Sequence, residues 1–155
     1  MRAKSGFTLV EILIVVVILG ILAAIVIPQF TNASTEAKDS SLRSDLQMLR
    51  SQIELYKIQH NDQMPSDAAV GILLALTDKT DQYGAAGGTL GAYLRTIPTN
   101  QFVDDLDLNN KISNLIKTGA GACPADGTSG WWFDTTSGTV FANSLGSKWP
   151  GHIDY

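Results

Sequence analysis

Glu11 is a lone carboxylate at the head of an apolar run. Phe7, Leu9 and Val10 precede it, and the residues from Ile12 to Ile27 carry no formal charge. In lipid an ionised acid costs on the order of 2.5–3.5 kcal/mol at mid-bilayer and less toward the interface, so this placement calls for a cationic partner. The chemistry on offer is ion pairing at low dielectric. Residues for bond-making chemistry are scattered instead. His60 and His152 are far apart, and Cys123, the only cysteine, lies beside Pro124 with no His or Asn motif to serve it as a base. Neither an internal disulfide nor catalysis is expected. Asp104, Asp105, Asp107 and Asn109 offer the oxygen donors that calcium prefers, but the EF-hand pattern is incomplete. Asn110 stands where that loop needs Gly and Ile116 where it needs Glu. Leu106 and Leu108 instead predict a helix through Ile112, Leu115 and Ile116, with Asp105 or Asp107 near its N-terminus, and no cofactor or metal is assigned.

The element that must position Glu11 is long. From Phe7 to Ile27 an apolar helix would span about 32 Å, enough to cross a bilayer. Arg2 and Lys4 precede it and the ten positions after it contain no Lys or Arg, which predicts a cytoplasmic N-terminus and an exported remainder. A conventional secretory signal fits poorly, because the run is long, contains Glu11 and lacks a small-x-small cleavage site. Pro28 deprives the Ala24 carbonyl of its usual donor. Thr31 to Ser41 contains no large apolar residue, and then Leu42, Leu46, Leu49, Ile53 and Tyr56 step by four and three, an apolar stripe for docking a head domain. The helix is expected to stop near His60 and Asn61, before Met64-Pro65.

Beyond the helix, Ser66 or Asp67 is expected to cap a short second helix through Ile72 to Leu76. Tyr93 to Pro98 reads as a short strand or extended segment. Trp131 to Asp134 and Thr139 to Asn143, joined through Thr135-Thr136-Ser137-Gly138, predict a β-hairpin. Trp131, Trp132 and Trp149 are read as packing residues rather than as a binding face.

The segment Gly6-Phe7-Thr8-Leu9-Val10-Glu11, followed by an unbroken apolar helix, resembles the signal of type IV prepilins and type II secretion pseudopilins. The resemblance implies cleavage between Gly6 and Phe7 by a membrane-embedded prepilin peptidase and N-methylation of Phe7. It also implies a loosening of the helix at Gly20 and Pro28 during assembly. The new Phe7 amine would lie four residues from Glu11, and in a bundle of parallel copies a neighbour's amine could come equally close. Phe7, Glu11, Gly20 and Pro28 are therefore the expected assembly residues.

The resulting expectation is an α+β chain, a long N-terminal helix packed on a small antiparallel sheet. Its parts are a leader (1–6), a transmembrane half-helix (7–28), an amphipathic half-helix (29–60) and a periplasmic or extracellular head (61–155). The chain has 155 residues and a net charge of −4, and it lacks a basic cluster, which argues against direct nucleic-acid binding. The resemblance implies a helical homo-oligomeric filament, with an assembly ATPase, an inner-membrane platform protein, a secretin and minor pilins as partners. Many type IV pilins close a C-terminal loop with a disulfide. A single cysteine departs from that pattern and leans toward the major pseudopilin of type II secretion. A surface pilus for adhesion, motility or DNA uptake is the alternative, and a singly anchored exported binding protein is another.

Overall fold

The computed structural model describes residues 6–104 and 112–145. Contacts divide the chain into two compact units, one up to Asp39 and one from Ser40 onward. Helix α1 (Leu9–Gln59) contributes to both; α2 (Gly71–Thr77) and strands β1 (Ile116–Gly119), β2 (Trp131–Asp134) and β3 (Thr139–Ala142) follow in the second. The α+β class is as expected.

The core of the second unit forms where the predicted stripe meets the sheet. Leu42, Leu46, Leu49, Ile53 and Tyr56 are buried in one cluster with Ile72, Leu76, Leu94, Ile97, Trp131, Phe133 and Val140. The helix stops because Asn61 and Asp62 take positive φ, 55° and 61°, and the Asp62 N–H turns back to the Lys57 carbonyl at 2.9 Å. Removing this much apolar surface from water is the main drive for the unit to fold.

The sheet is mixed rather than wholly antiparallel. Strands β2 and β3 form the expected hairpin, pairing Trp131 with Ala142 and Asp134 with Thr139, whereas β1 joins the other edge of β2 in parallel. Residues 120–130 make the return crossover that a parallel pair requires. The helix expected through Ile112 to Ile116 does not form. The Ile112 carbonyl accepts the Leu115 N–H in a single turn and is shared with the Gly130 N–H, while the Ser113 carbonyl is taken by the Asn100 N–H, so the turn is not continued into a helix. Gly130 is required at this crossing, because any Cβ would collide with the Ser113 carbonyl.

Two smaller expectations also change. No strand forms at Tyr93 to Pro98; the N–H groups of Tyr93 and Leu94 both donate to the Leu76 carbonyl, at 3.0 and 2.9 Å, and close the end of α2 instead of a ladder. Ser66 and Asp67 do not cap α2. The helix begins only at Gly71, at φ 78°, and the cap position before it, Val70, makes no side-chain bond. On the β3 edge, the Arg50 guanidinium donates to the Val140 carbonyl from Nε and Nη2, at 3.1 and 3.0 Å. That contact ties α1 to the sheet and occupies an outward-facing acceptor of the edge strand.

Candidate functional site

Gly6, Phe7 and Thr8 lie outside the helix, and all three are exposed. The Gly6–Phe7 peptide therefore sits in non-helical backbone, and among the described residues no atom beyond its chain neighbours comes near the space that a Gly6 side chain would fill. Thr8 and Glu11 close the start of α1 reciprocally. The Glu11 N–H donates to Thr8 Oγ1 at 3.3 Å, and the Thr8 N–H donates to Glu11 Oε2 at 3.5 Å. This is a capping box, whose Thr-x-x-Glu spacing was readable in the sequence but is additional to the expected role of Glu11. The carboxylate is thus directed at its own helix start, where the positive end of the helix dipole favours it.

From Leu9 to Phe30 every residue is exposed, including Ile12, Leu19, Ile25 and Phe30. The helix is long and apolar enough to cross a membrane, and none of this segment is buried within the chain. An apolar surface so continuous requires lipid or other protein around it. Gly20 and Pro28 both lie within unbroken α-helix, Gly20 with open space beside it. Just after Pro28, Thr31 Oγ1 donates to the Ile27 carbonyl and Thr35 Oγ1 to the Thr31 carbonyl, each at 3.1 Å. These hydroxyls need no outside partner.

The second unit gathers no competing reactive centre among its described residues. His60 is fully buried and stacked on Tyr56, ring centroids 3.7 Å apart. Its Nδ1 faces the Tyr56 carbonyl and its Nε2 the Thr80 hydroxyl, both at 2.9 Å, so its two nitrogens are occupied by structure. Cys123 is half-buried against the Ala142 carbonyl and Asn143 Oδ1, and burial pushes its thiol up from the ordinary value, away from nucleophilic form. Trp131 is fully buried, with its indole N–H donated to the Pro98 carbonyl at 2.8 Å, as expected of a packing residue. Of the calcium candidates, Asp104 is exposed, while Asp105, Asp107 and Asn109 lie outside the described residues, as do Trp149 and His152. Among the described residues, no group of three or more His, Cys, Asp or Glu could hold a metal ion.

Residues 1–27 match the family model described as the prokaryotic N-terminal methylation motif. The chain is 33% identical over 107 residues to the type II secretion system core protein G of Pectobacterium carotovorum subsp. carotovorum, covering 69% of this chain and 67% of that protein. To the protein of the same name from Klebsiella pneumoniae it is 31% identical over 108 residues, 70% of this chain and 76% of the relative. The Pseudomonas aeruginosa protein of that name is 44% identical over 59 residues, 38% of this chain and 42% of its own length. No solved structure matches the chain.

Proposed function

The chain belongs to the family of type II secretion system core protein G, and on that premise we propose that it is the polymerising subunit of a pseudopilus used for protein export. The precursor waits in the bacterial cytoplasmic membrane as a single-pass protein, residues 7–28 in lipid, the N-terminus cytoplasmic and residues 61–155 outside. A prepilin peptidase cuts between Gly6 and Phe7, and the new Phe7 amine is methylated. The amine then pairs with Glu11 of its own or an adjacent copy, while Gly20 and Pro28 let the helix adjust to its place in the fibre. Energy and guidance come from an assembly ATPase and a platform protein, with secretin and minor pilins as further partners.

The observation that carries this reading is the wholly exposed apolar face of α1, headed by one carboxylate and by a methylation motif. Among the described residues nothing covers that face and no cation pairs with that acid. A bundle of parallel copies supplies both, and an ion pair formed there gains from the low dielectric. The test is expression with a working prepilin peptidase and assembly apparatus. Mass spectrometry is expected to find N-methylated Phe7 as the first residue, and electron microscopy of sheared material to find fibres. Recovery of uncut monomers alone would overturn the reading.

A further inference from the structure

We propose that a cleft between residues 81–83 and 88–90 is a saccharide-binding site, one that takes a neutral pyranose through its adjacent hydroxyls and its ring face. The site lies within the second unit and is independent of the filament reading. Asp81, Gln82, Tyr83, Gly88, Thr89 and Leu90 line a space of about 390 Å³, within the roughly 300–1,000 Å³ usual for small-molecule pockets. Gln82, Tyr83 and Thr89 are exposed, and Tyr83 keeps 63% of its surface open to solvent.

The walls of the cleft are held by the chain itself. Thr80 pairs with both Ala86 and Leu90, its N–H donating to the Leu90 carbonyl at 2.9 Å and its carbonyl accepting the Leu90 N–H at 3.0 Å. The Asp81 N–H donates to the Ala85 carbonyl, and the Thr80 hydroxyl contacts Nε2 of buried His60 at 2.9 Å, which anchors the loop to the core. Gly88 passes so close to Thr80 and Asp81 that any Cβ there would collide with their backbone. That crossing brings Thr89 to the same cleft as Asp81. A ligand entering walls so constrained has little loop ordering to offset.

The lining selects the ligand. The N–H groups of Ala85 and Tyr83 donate to Asp81 Oδ1, each at 2.9 Å, and hold the carboxyl below its ordinary 3.8. Among the described residues Asp81 Oδ2 accepts no hydrogen bond, and the side chains of Gln82, Tyr83 and Thr89 make none. One group that only accepts and three that both donate and accept therefore border the same space. Sugar hydroxyls, which also donate and accept, match that set, and the Tyr83 ring and Leu90 give the apolar face of a pyranose something to pack on. Other ligand classes match fewer of these groups. An anion is repelled by Asp81, and a metal ion finds a single carboxylate. A cationic side chain would use Asp81 and Tyr83 but leave the donors of Gln82 and Thr89 unmatched.

The experiment titrates the isotope-labelled full-length chain, in a detergent without a sugar head group, with cellotetraose, with N-acetylated chitotetraose and with N-acetyl-lysinamide, following amide shifts by NMR. Saturable shifts of the Tyr83 and Thr89 amides are expected with at least one tetrasaccharide and not with the lysine probe. A response to the N-acetylated sugar alone assigns the source to wall glycan, and a response to cellotetraose alone to polymer outside the wall; either, or both, supports the site. Tyr83→Ala is expected to weaken binding about tenfold at an unchanged melting temperature, and Tyr83→Phe to retain most of it. Thr89→Val keeps the side-chain shape and is expected to weaken binding severalfold, which tests the cleft even if Tyr83→Ala disturbs the loop. Shifts with neither sugar, shifts with the lysine probe alone, or sugar binding that both Tyr83→Ala and Thr89→Val leave intact would overturn the site. The filament reading survives each of these outcomes, because it is judged on N-terminal processing and fibres.

Discussion

Asp134 ends β2 and organises the hairpin turn. Its carboxylate accepts the Ser137 hydroxyl at 2.7 Å and the N–H groups of Thr136 and Gly121 at 2.8 Å each, with the Ser137 N–H farther away at 3.3 Å. These donors, the Ser137 hydroxyl first, hold its pKa down to about 2 from an ordinary 3.8. Because the folded value lies below the unfolded one, the stabilisation is complete above the ordinary carboxylate range and is lost as pH falls toward 2. Melting of the detergent-solubilised chain is expected to drop across that window. Asp134→Asn is expected to melt lower at neutral pH and to show a shallower acid drop; a parallel pH profile would disprove the assignment. Tyr56 gives the opposite case. Its ring is fully buried, but its hydroxyl has no hydrogen-bond partner among the described residues. Tyr56→Phe removes a desolvated group without breaking a bond, so it is expected to change stability by less than about 1 kcal/mol, in either direction. A loss of several kcal/mol in chemical denaturation would show that the hydroxyl is engaged.

Within α1, two leucines six residues apart separate the face that holds the core from the face that does not. Leu49 is fully buried against the sheet, and Leu49→Ala is expected to cost about 2–5 kcal/mol. Leu55 lies across the helix and is 40% exposed, so Leu55→Ala is expected to stay within about 0.5 kcal/mol of the unaltered chain. Denaturation of the two variants side by side checks this, and equal losses would mean that both faces belong to the core. Their different fates also show which features were legible in the sequence. A helical period sustained from Leu42 to Tyr56 defines a face by itself, and the aromatic runs flanking Thr135 to Gly138 define a hairpin. Strand β1 is not legible: Ile116 is buried, Lys117 and Thr118 are exposed and Gly119 has no side chain, so its four residues show no alternation. Its position is set by bonds from Gly130 and Asn100, distant in sequence. Tyr93 to Pro98 looked like a strand on composition, but its donors go to the end of α2. The capping box was legible and local, since Thr8 and Glu11 are three residues apart. The Arg50 bond to Val140 joins residues 90 apart and has no local signature.

At the scale of the whole molecule, the exposed N-terminal half of α1 and the folded second unit make opposite demands on their surroundings, and Glu11 lies where a change of surroundings matters most. In a single chain its carboxylate closes its own helix start through the long 3.5 Å contact from the Thr8 N–H. On the proposed pathway, cleavage between Gly6 and Phe7 would supply a cationic Phe7 amine, and at low dielectric that attraction would exceed what a neutral N–H donor provides. Apolar packing between copies gains little over packing with lipid, so the ion pair is the term that can favour the bundle over the bilayer. Glu11→Ala is therefore expected to insert and to be cut at Gly6–Phe7 normally, because neither step uses the pair, but to assemble poorly. If the pair contributes only about 1.4 kcal/mol per contact, each addition step weakens tenfold, and the loss recurs at every subunit. Quantifying cleaved protein in the membrane against sheared fibre separates the two steps. Fibres of the unaltered chain should also persist in about 1 M salt, which screens exposed pairs over about 3 Å but reaches a buried pair poorly. Full fibre yield from Glu11→Ala would remove the carboxylate from assembly and leave the capping box as its only role.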